Sequence, residues 1–292
     1  VQTLISIADF IRWGASRFTE ANLFFGHGTD NALDEAAALV LGALHQPPDL
    51  PASWFSCRLT GDERERVLGL IQRRIDERVP LPYLLGEAWF AGMRFHINEQ
   101  VLIPRSPIAE LIEKGFSPWL GPSTEPRILD LCCGSGCIGI AAAACLPESH
   151  VDLADISAGA LAVAKQNIAE YGLQKRVTLH QSDLFEKLPD KEYDLIVSNP
   201  PYVGAAEMEG LPDEYRHEPV LALQANENGL EIVQRILKQA KRHLSPRGIM
   251  IVEVGNSAQL LMDSYPEIPF VWLDFERGGE GVFLLSAADL AE

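Results

Sequence analysis

From Arg127 onward, short apolar runs alternate with helix-like stretches, and no other feature of the sequence limits the possible folds as tightly. "RILDL" leads through a glycine loop into "CIGIAAAAC", and "HVDLAD" leads into "SAGALAVAKQNIAEYG". "VTLHQSD" and "YDLIVS" are further strand-like runs, and "GLEIVQRILKQAKRHL" with "GIMIVEVG" repeats the pairing of helix and strand. Continuous apolar strands separated by helices predict a mostly parallel sheet, buried on both faces. The tail "FVWLDFERGGEGVFLLS" reads as two strands turning around Gly278–Gly279, an antiparallel pair.

A helical zone precedes this alternation. The 292 residues accommodate a full-size domain and a smaller one. Residues 1–85 carry helical spacing. Leu4, Ile7, Ala8, Ile11 and Ala15 share a face, and "TDNALDEAAALVLGALHQ" opens at candidate caps Thr29 and Asp30. "GDERERVLGLIQRRIDERVP" repeats Val67, Leu70, Ile71 and Ile75, with acidic residues early and arginines late, as the helix dipole favours. Residues 86–104 change character: "WFAGMRFHI" and "QVLIP" read as the strands of a hairpin linker into a domain of residues 105–292. That domain is expected to begin with a helix over "ELIEKGFSPWL".

Composition narrows the classes of function. No apolar run has the length of a membrane span, and Asp9, Arg12 and Glu20 break any apolar leader. Cys132, Cys133 and Cys137 lack zinc-ligand spacing, so no metal is expected. Reduced, mostly buried cysteines imply a cytoplasmic protein. The formal charge of -17 disfavours a nucleic-acid backbone and suits a basic protein partner.

The stretch Asp130–Gly136 reads D-L-C-C-G-S-G between a strand and a helix. Gly134 and Gly136 permit close backbone approach to a ligand. Gly139 completes G-x-G-x-x-G, and Asp155 follows at about the 20-residue interval of a dinucleotide fingerprint, so the local pattern also suits a nicotinamide enzyme. Asp130 favours a different ligand. A carboxylate before the loop repels pyrophosphate and attracts the ammonium and sulfonium of S-adenosylmethionine. Asp155 is the candidate partner of the ribose hydroxyls, with Asp152 a competitor deeper in the strand. Asp183 is the candidate partner of the adenine amino group, with Leu184 beside the ring. Singly, each aspartate reads equally well as a cap or a loop residue; together at successive strand ends they mark one ligand-binding edge.

"SNPPY" (198–202) ends the fourth strand of this series on the same edge. Two prolines stiffen the backbone and donate no hydrogen bond. Pro200 thus presents a carbonyl beside the side-chain carbonyl of Asn199, two acceptors for a planar NH2 group, while Tyr202 could stack on that group. Such acceptors strengthen as the nitrogen gains positive character, so they favour methyl transfer without a strong base. The motif alone does not distinguish a glutamine amide from an adenine amine. Beyond it, "EYRHEP" gathers Glu214, Arg216, His217 and Glu218 in a long connection that suits either peptide contact, with Arg216 and Glu218 as candidates, or a polar network stabilising a lid. Arg105 and Glu110 are a candidate ion pair, either closing the cofactor pocket or bridging the linker as an ordinary salt bridge, and Glu253 either contacts the substrate side or anchors a loop.

"SNPPY", "DLCCGSG" and the acidic strand ends resemble the amino-methyltransferases that act on adenine amines or glutamine amides. The helical first zone and hairpin linker resemble the protein N5-glutamine methyltransferase family. Within it, "VLIPRSPIAELI" and "LPDEYRHEPVLAL" are similar to the branch acting on large-subunit ribosomal protein L3; the release-factor branch has PRP-x-T-E where this chain has "PRSPIAE". The resemblance implies an α/β fold with a seven-stranded Rossmann-like sheet and a helical domain that recognises substrate. It implies catalytic roles for Asn199, Pro200 and Tyr202, and binding of S-adenosyl-L-methionine by Asp130, Gly134, Gly136, Asp155, Asp183 and Asn199. Substrate contacts are expected from Asn199, Pro200, Pro201 and Tyr202, leaving S-adenosyl-L-homocysteine as co-product. The implied partner is a basic ribosomal protein, with no obligatory nucleic acid and no membrane. Cys132 stands where the family has glycine. Release-factor methylation, adenine N6 methylation and a non-catalytic ribosome-assembly role are the competing expectations.

Overall fold

In the computed structural model, which describes residues 3–121, 123–226 and 228–290, the strand-like runs become β1 (Glu87–Phe90), β2 (Met93–His96), β3 (Arg127–Leu131), β4 (His150–Asp155), β5 (Val177–Gln181), β6 (Tyr193–Ser198), β7 (Leu244–Glu253), β8 (Val271–Trp272) and β9 (Val282–Ser286). Strands β3 to β9 form one seven-stranded sheet in the order β5-β4-β3-β6-β7-β9-β8. The pairs β3–β4, β4–β5, β3–β6 and β6–β7 are parallel, whereas β9 runs antiparallel to β7 and β8. The expected seven-stranded Rossmann-like sheet is therefore present, with its antiparallel pair at one edge.

Alternation along the strands explains the two-sided burial. Ile128, Leu195, Val197, Ile249, Ile251, Val282 and Leu284 join a core on one face with Ile140 and Ile168. Those apolar side chains come from the helices Cys137–Cys145 and Ala158–Glu170. The intervening residues Leu129, Ile196, Met250, Val252, Phe283 and Leu285 join a second core with Val233 and Ile236 of the helix Glu231–Ala240. Each central strand is apolar on both sides because each side is roofed.

Two sequence expectations give way here. "QVLIP" forms no strand; the hairpin lies wholly within "EAWFAGMRFH", turning at Ala91 and Gly92, whose φ values are 47° and 73°. Two consecutive left-handed residues suit a tight two-residue hairpin turn, so the second strand starts directly after them. The helix expected over "ELIEKGFSPWL" is the shorter Ile108–Glu113, because Gly115 and Phe116 adopt φ values of 60° and 58°.

The chain separates into two compact units, one comprising residues up to Ala88 with Pro212–His217, the other Trp89–Leu211 with the residues from Glu218. The first contains the helices Ile7–Glu20, Ala32–Ala43 and Gly61–Asp76, followed by the short Leu81–Leu85. Ser6 with Asp9 and Thr60 with Glu63 form capping boxes. The middle helix is capped by Asn31 rather than Thr29 or Asp30: its side chain takes the N–H groups of Leu33 and Asp34. At Gly14 an added Cβ would lie 3.3 Å from both Ala36 and Ile71, so glycine allows the three helices to meet closely.

The hexapeptide Pro212–His217, expected in the connection after the active segment, belongs with these helices for an electrostatic reason. Arg74, only 1% exposed, bonds Glu35 at 2.5 Å, Glu214 at 3.2 Å and the Phe24 carbonyl at 2.8 Å. Arg78 reaches Glu214 at 3.2 Å, and the Phe24 N–H donates to the same carboxylate. The Tyr215 ring lies 4.6 Å from that of His27 and 5.7 Å from that of Phe24. Removing one partner from a buried ionic cluster strands the others without compensation. Arg74→Ala should therefore cost the helical unit about 3–5 kcal/mol, read as a lower urea midpoint. A loss under about 1 kcal/mol, the range of an exposed pair, would contradict this account.

Candidate active site

The chain adds β4 and β5 on one side of β3, then returns to place β6 on the other. At that reversal the loops leaving the carboxyl ends of β3 and β6 diverge and open a crevice. Ser198 Oγ donates to the Leu131 carbonyl at 2.8 Å, joining the two strands at the crevice floor. A cavity of about 310 Å³ opens here, large enough for a nucleoside-sized ligand. Its wall includes Cys132–Ser135, Asp155, Asp183, Leu184, Asn199 and Pro201.

After β3 the backbone turns through left-handed residues: φ is 57° at Cys132, 54° at Gly134 and 78° at Gly136. Glycine adopts this conformation freely, whereas Cys132 holds it against its own Cβ. A Cβ at Gly136 would lie 3.0 Å from both Ile140 and Leu153, so the loop packs directly on the sheet. Its shape is braced from β4: Asp155 accepts the Gly134 N–H through Oδ2 and the Ser157 N–H through Oδ1, each at 2.9 Å. Burial raises the Asp155 carboxyl, against the pull of those N–H groups.

Asp130 and Gly136 lie behind the loop, off the cavity wall. Asp130 is 1% exposed; Oδ2 accepts the Gly139 N–H at 2.9 Å, while Oδ1 has no hydrogen-bond partner among the described residues. Asp183 is on the wall, and its carboxylate meets Arg235 at 2.8 Å. Arg235 and Ile232 also line the cavity, and sequence reasoning missed both; their position one helical turn apart was the available signal.

Asn199 projects from the end of β6 onto the wall, and its side-chain amide has no hydrogen-bond partner among the described residues. Pro200 is buried beside it. Tyr202 is off the wall, and its hydroxyl donates to Glu253 Oε1 at 2.9 Å. Glu253 ends β7, so it reaches the same edge as the aspartates; sequence reasoning noted its place without its partners.

The pair expected between Arg105 and Glu110 does not form. Arg105 forks onto Glu218 at 2.5 and 2.6 Å, whereas Glu110 accepts the N–H groups of Glu276 and Arg277. Glu218, expected to touch substrate, has a fully enclosed side chain and also accepts the Ile103 N–H. Its enclosure makes it a clamp between wall segments. Arg216 is exposed in the helical unit and pairs with Asp213 at 3.2 Å. Among the described residues no cluster has the makings of a metal site, and no helix is long and apolar enough to cross a membrane.

Residues 117–211 match the family described as the methyltransferase small domain. The ribosomal protein uL3 glutamine methyltransferase of Xanthomonas campestris pv. campestris is 52% identical, with 98% of this chain and 93% of that protein covered. The chain belongs to the uL3 glutamine methyltransferase family. The proteins of that name from Bordetella pertussis and Francisella tularensis subsp. tularensis are 48% and 46% identical, covering 99% and 100% of this chain and 97% and 93% of theirs. Among solved structures, the hMettl16 catalytic domain in complex with a MAT2A 3'UTR hairpin has a TM-score of 0.53 at 20% identity, covering 78% of this chain and 81% of that one. Human methyltransferase 10 domain containing protein gives 0.50 at 18% identity, covering 78% and 96%. The chain is an enzyme with the Rossmann-like fold of S-adenosylmethionine-dependent methyltransferases.

Burial pushes the Asp130 carboxyl from an ordinary 3.8 up to about 8, against the Gly139 N–H and with a further push from Asp155. The folded protein thus keeps a proton that the unfolded chain releases at lower pH. This contribution to stability is full below about pH 4 and is lost as pH rises through about 8. Asp130→Asn should flatten that decline, checked by thermal unfolding of both proteins from about pH 5 to about pH 8; parallel curves would count against it.

Proposed function

We propose that this enzyme transfers the methyl group of S-adenosylmethionine to the side-chain amide nitrogen of a glutamine in ribosomal protein uL3. The observation carrying the reading is the Asn199 amide, unpartnered among the described residues, on the cavity wall at the β3–β6 reversal. The names of the relatives supply the substrate class.

The residues present fit the methyl donor. Gly134 is on the cavity wall with open space where a Cβ would stand, so its backbone is accessible to a ligand. Asp155 would hold the ribose hydroxyls and Asp183 the adenine amino group, with Leu184 against the ring. Beneath the loop, the unpartnered Asp130 oxygen suits a site whose ligand carries positive charge. When bound, S-adenosylmethionine supplies a methyl group made electrophilic by its sulfonium.

The chain's part is to present the amide. Asn199 Oδ1 and the Pro200 carbonyl accept its two N–H groups, fixing the nitrogen lone pair in one direction. Pro200 and Pro201 hold those acceptors still, so little reorganisation is needed as the nitrogen becomes positive. The acceptors strengthen with that charge, which selects for the transition state. No general base is required, because the proton is acidic once the N–C bond has formed.

The -17 charge supports docking of a basic ribosomal protein. Incubation with methyl-labelled S-adenosylmethionine and purified uL3 should label one glutamine, located by mass spectrometry. Asn199→Ala should lower kcat by about 100-fold or more while leaving the donor's Kd within about threefold. Label on a release factor or on adenine instead would assign a different acceptor, and no label on any of them would reject the reading.

A further inference from the structure

Consecutive residues Arg105 and Ser106, both on the cavity wall, grip the active segment at two points through buried carboxylates. Arg105 forks onto Glu218, which returns the segment to the sheet unit. Ser106 Oγ donates to Glu253 Oε2 at 2.5 Å, and the other oxygen of that carboxylate accepts the Tyr202 hydroxyl. Beyond Glu218 the segment closes back on its start: the Val203 N–H donates to the Leu223 carbonyl, and the Ala225 N–H to the Val203 carbonyl.

Tyr202 is confined from several directions. Ser257 Oγ donates to its carbonyl at 3.2 Å. A Cβ at Gly255 would lie 2.7 Å from its ring, and one at Gly229 would lie 2.3 Å from its carbonyl oxygen. Both glycines have positive φ, 47° and 72°, and their missing side chains make the space that the tyrosine fills. Glu253 itself is 4% exposed at the end of β7, whose Val252 pairs with Ser198 of β6. The carboxylate thus stands on the strand adjoining the one that carries Asn199.

We infer that Glu253, with Ser106, is a positioning residue that sets the direction of the Asn199–Pro200 acceptor pair by holding the Tyr202 hydroxyl. This rests on the glutamine-methyltransferase reading and assigns Tyr202 a task that its ring alone does not perform. Only Pro200 and Pro201 separate Asn199 from Tyr202, so fixing the tyrosine leaves the acceptors little rotational freedom.

The test is Tyr202→Phe, which keeps the ring and removes only the hydroxyl, together with Glu253→Ala, Glu253→Gln and the double variant Tyr202→Phe/Glu253→Ala. Turnover on uL3 and S-adenosylmethionine binding by calorimetry are measured for each. Tyr202→Phe and Glu253→Ala should each lower kcat about 10- to 100-fold, with the donor's Kd within about twofold, since neither side chain lines the cavity. Glu253→Gln should recover most of that kcat, because its carbonyl accepts from Tyr202 and its amide donates to Ser106. The double variant should be no slower than the slower single variant.

Full activity in Tyr202→Phe overturns the inference and leaves a stacking ring. Losses that multiply in the double variant, or a weakened Kd that accounts for the loss, overturn it as well. Tyr202→Phe removes one oxygen and decides the matter even if Glu253→Ala fails to fold. Wild-type protein that binds the donor and labels no glutamine rejects the functional reading itself, a result separable from all of these.

Discussion

The parallel pairing of β3 with both β4 and β6 is the constraint on which the site depends. A strand with parallel neighbours on both sides sends its following loop over one of them, so the neighbour on the other side must arrive by a different route. The space between those routes is the cavity. The glycine loop, Asp155, Asp183 and Asn199 meet there because each immediately follows or ends a strand of that parallel set. Side-chain chemistry therefore needs little long-range coordination: strand register delivers the groups to one edge, where the bond from Ser198 to the Leu131 carbonyl adds to the backbone ladder between β3 and β6.

Buried acids are the recurring means of holding loops around this edge, and their environments separate their tasks. Glu218 meets a guanidinium fork and remains a clamp. Glu253 meets two hydroxyl donors; burial pushes its carboxyl up, and Ser106, Tyr202 and Arg105 pull it back. Asp130 meets one backbone N–H and keeps one oxygen unengaged among the described residues. Removing any of these from water costs free energy unless partners compensate. Their different degrees of satisfaction follow from the partners each one meets.

The sheet and the ligand edge were legible because both arise locally. Apolar runs with glycine or aspartate at their ends announce strand, loop and helix within a dozen residues, and Asn199-Pro200-Pro201-Tyr202 combines two backbone restraints with an acceptor. Pairings over long sequence distances were not legible. Nothing near Arg105 indicates Glu218 over Glu110: the chain path through β3 to β6 brings Glu218 to it, and Glu110 is drawn instead to the N–H groups of Glu276 and Arg277. "QVLIP" has strand-forming residues but meets no free strand edge, so it becomes a stretch of cavity wall. Asn31 displaced its two neighbours as cap through the angle at which the chain enters the helix, which composition does not encode.

The assignment of Pro212–His217 to the helical unit has a consequence for biosynthesis. Arg74 and Glu214 are 140 positions apart, and β1 to β6 all lie between them in the chain. On a ribosome adding about 5–20 residues per second, roughly ten seconds pass between the emergence of the guanidinium and its second carboxylate. During that interval Glu35 is the one of its two carboxylate partners in the fold that is already present. The unit that begins the chain is thus completed only after most of the parallel sheet has been made, and a helical fragment ending at Ala88 would lack its own last piece.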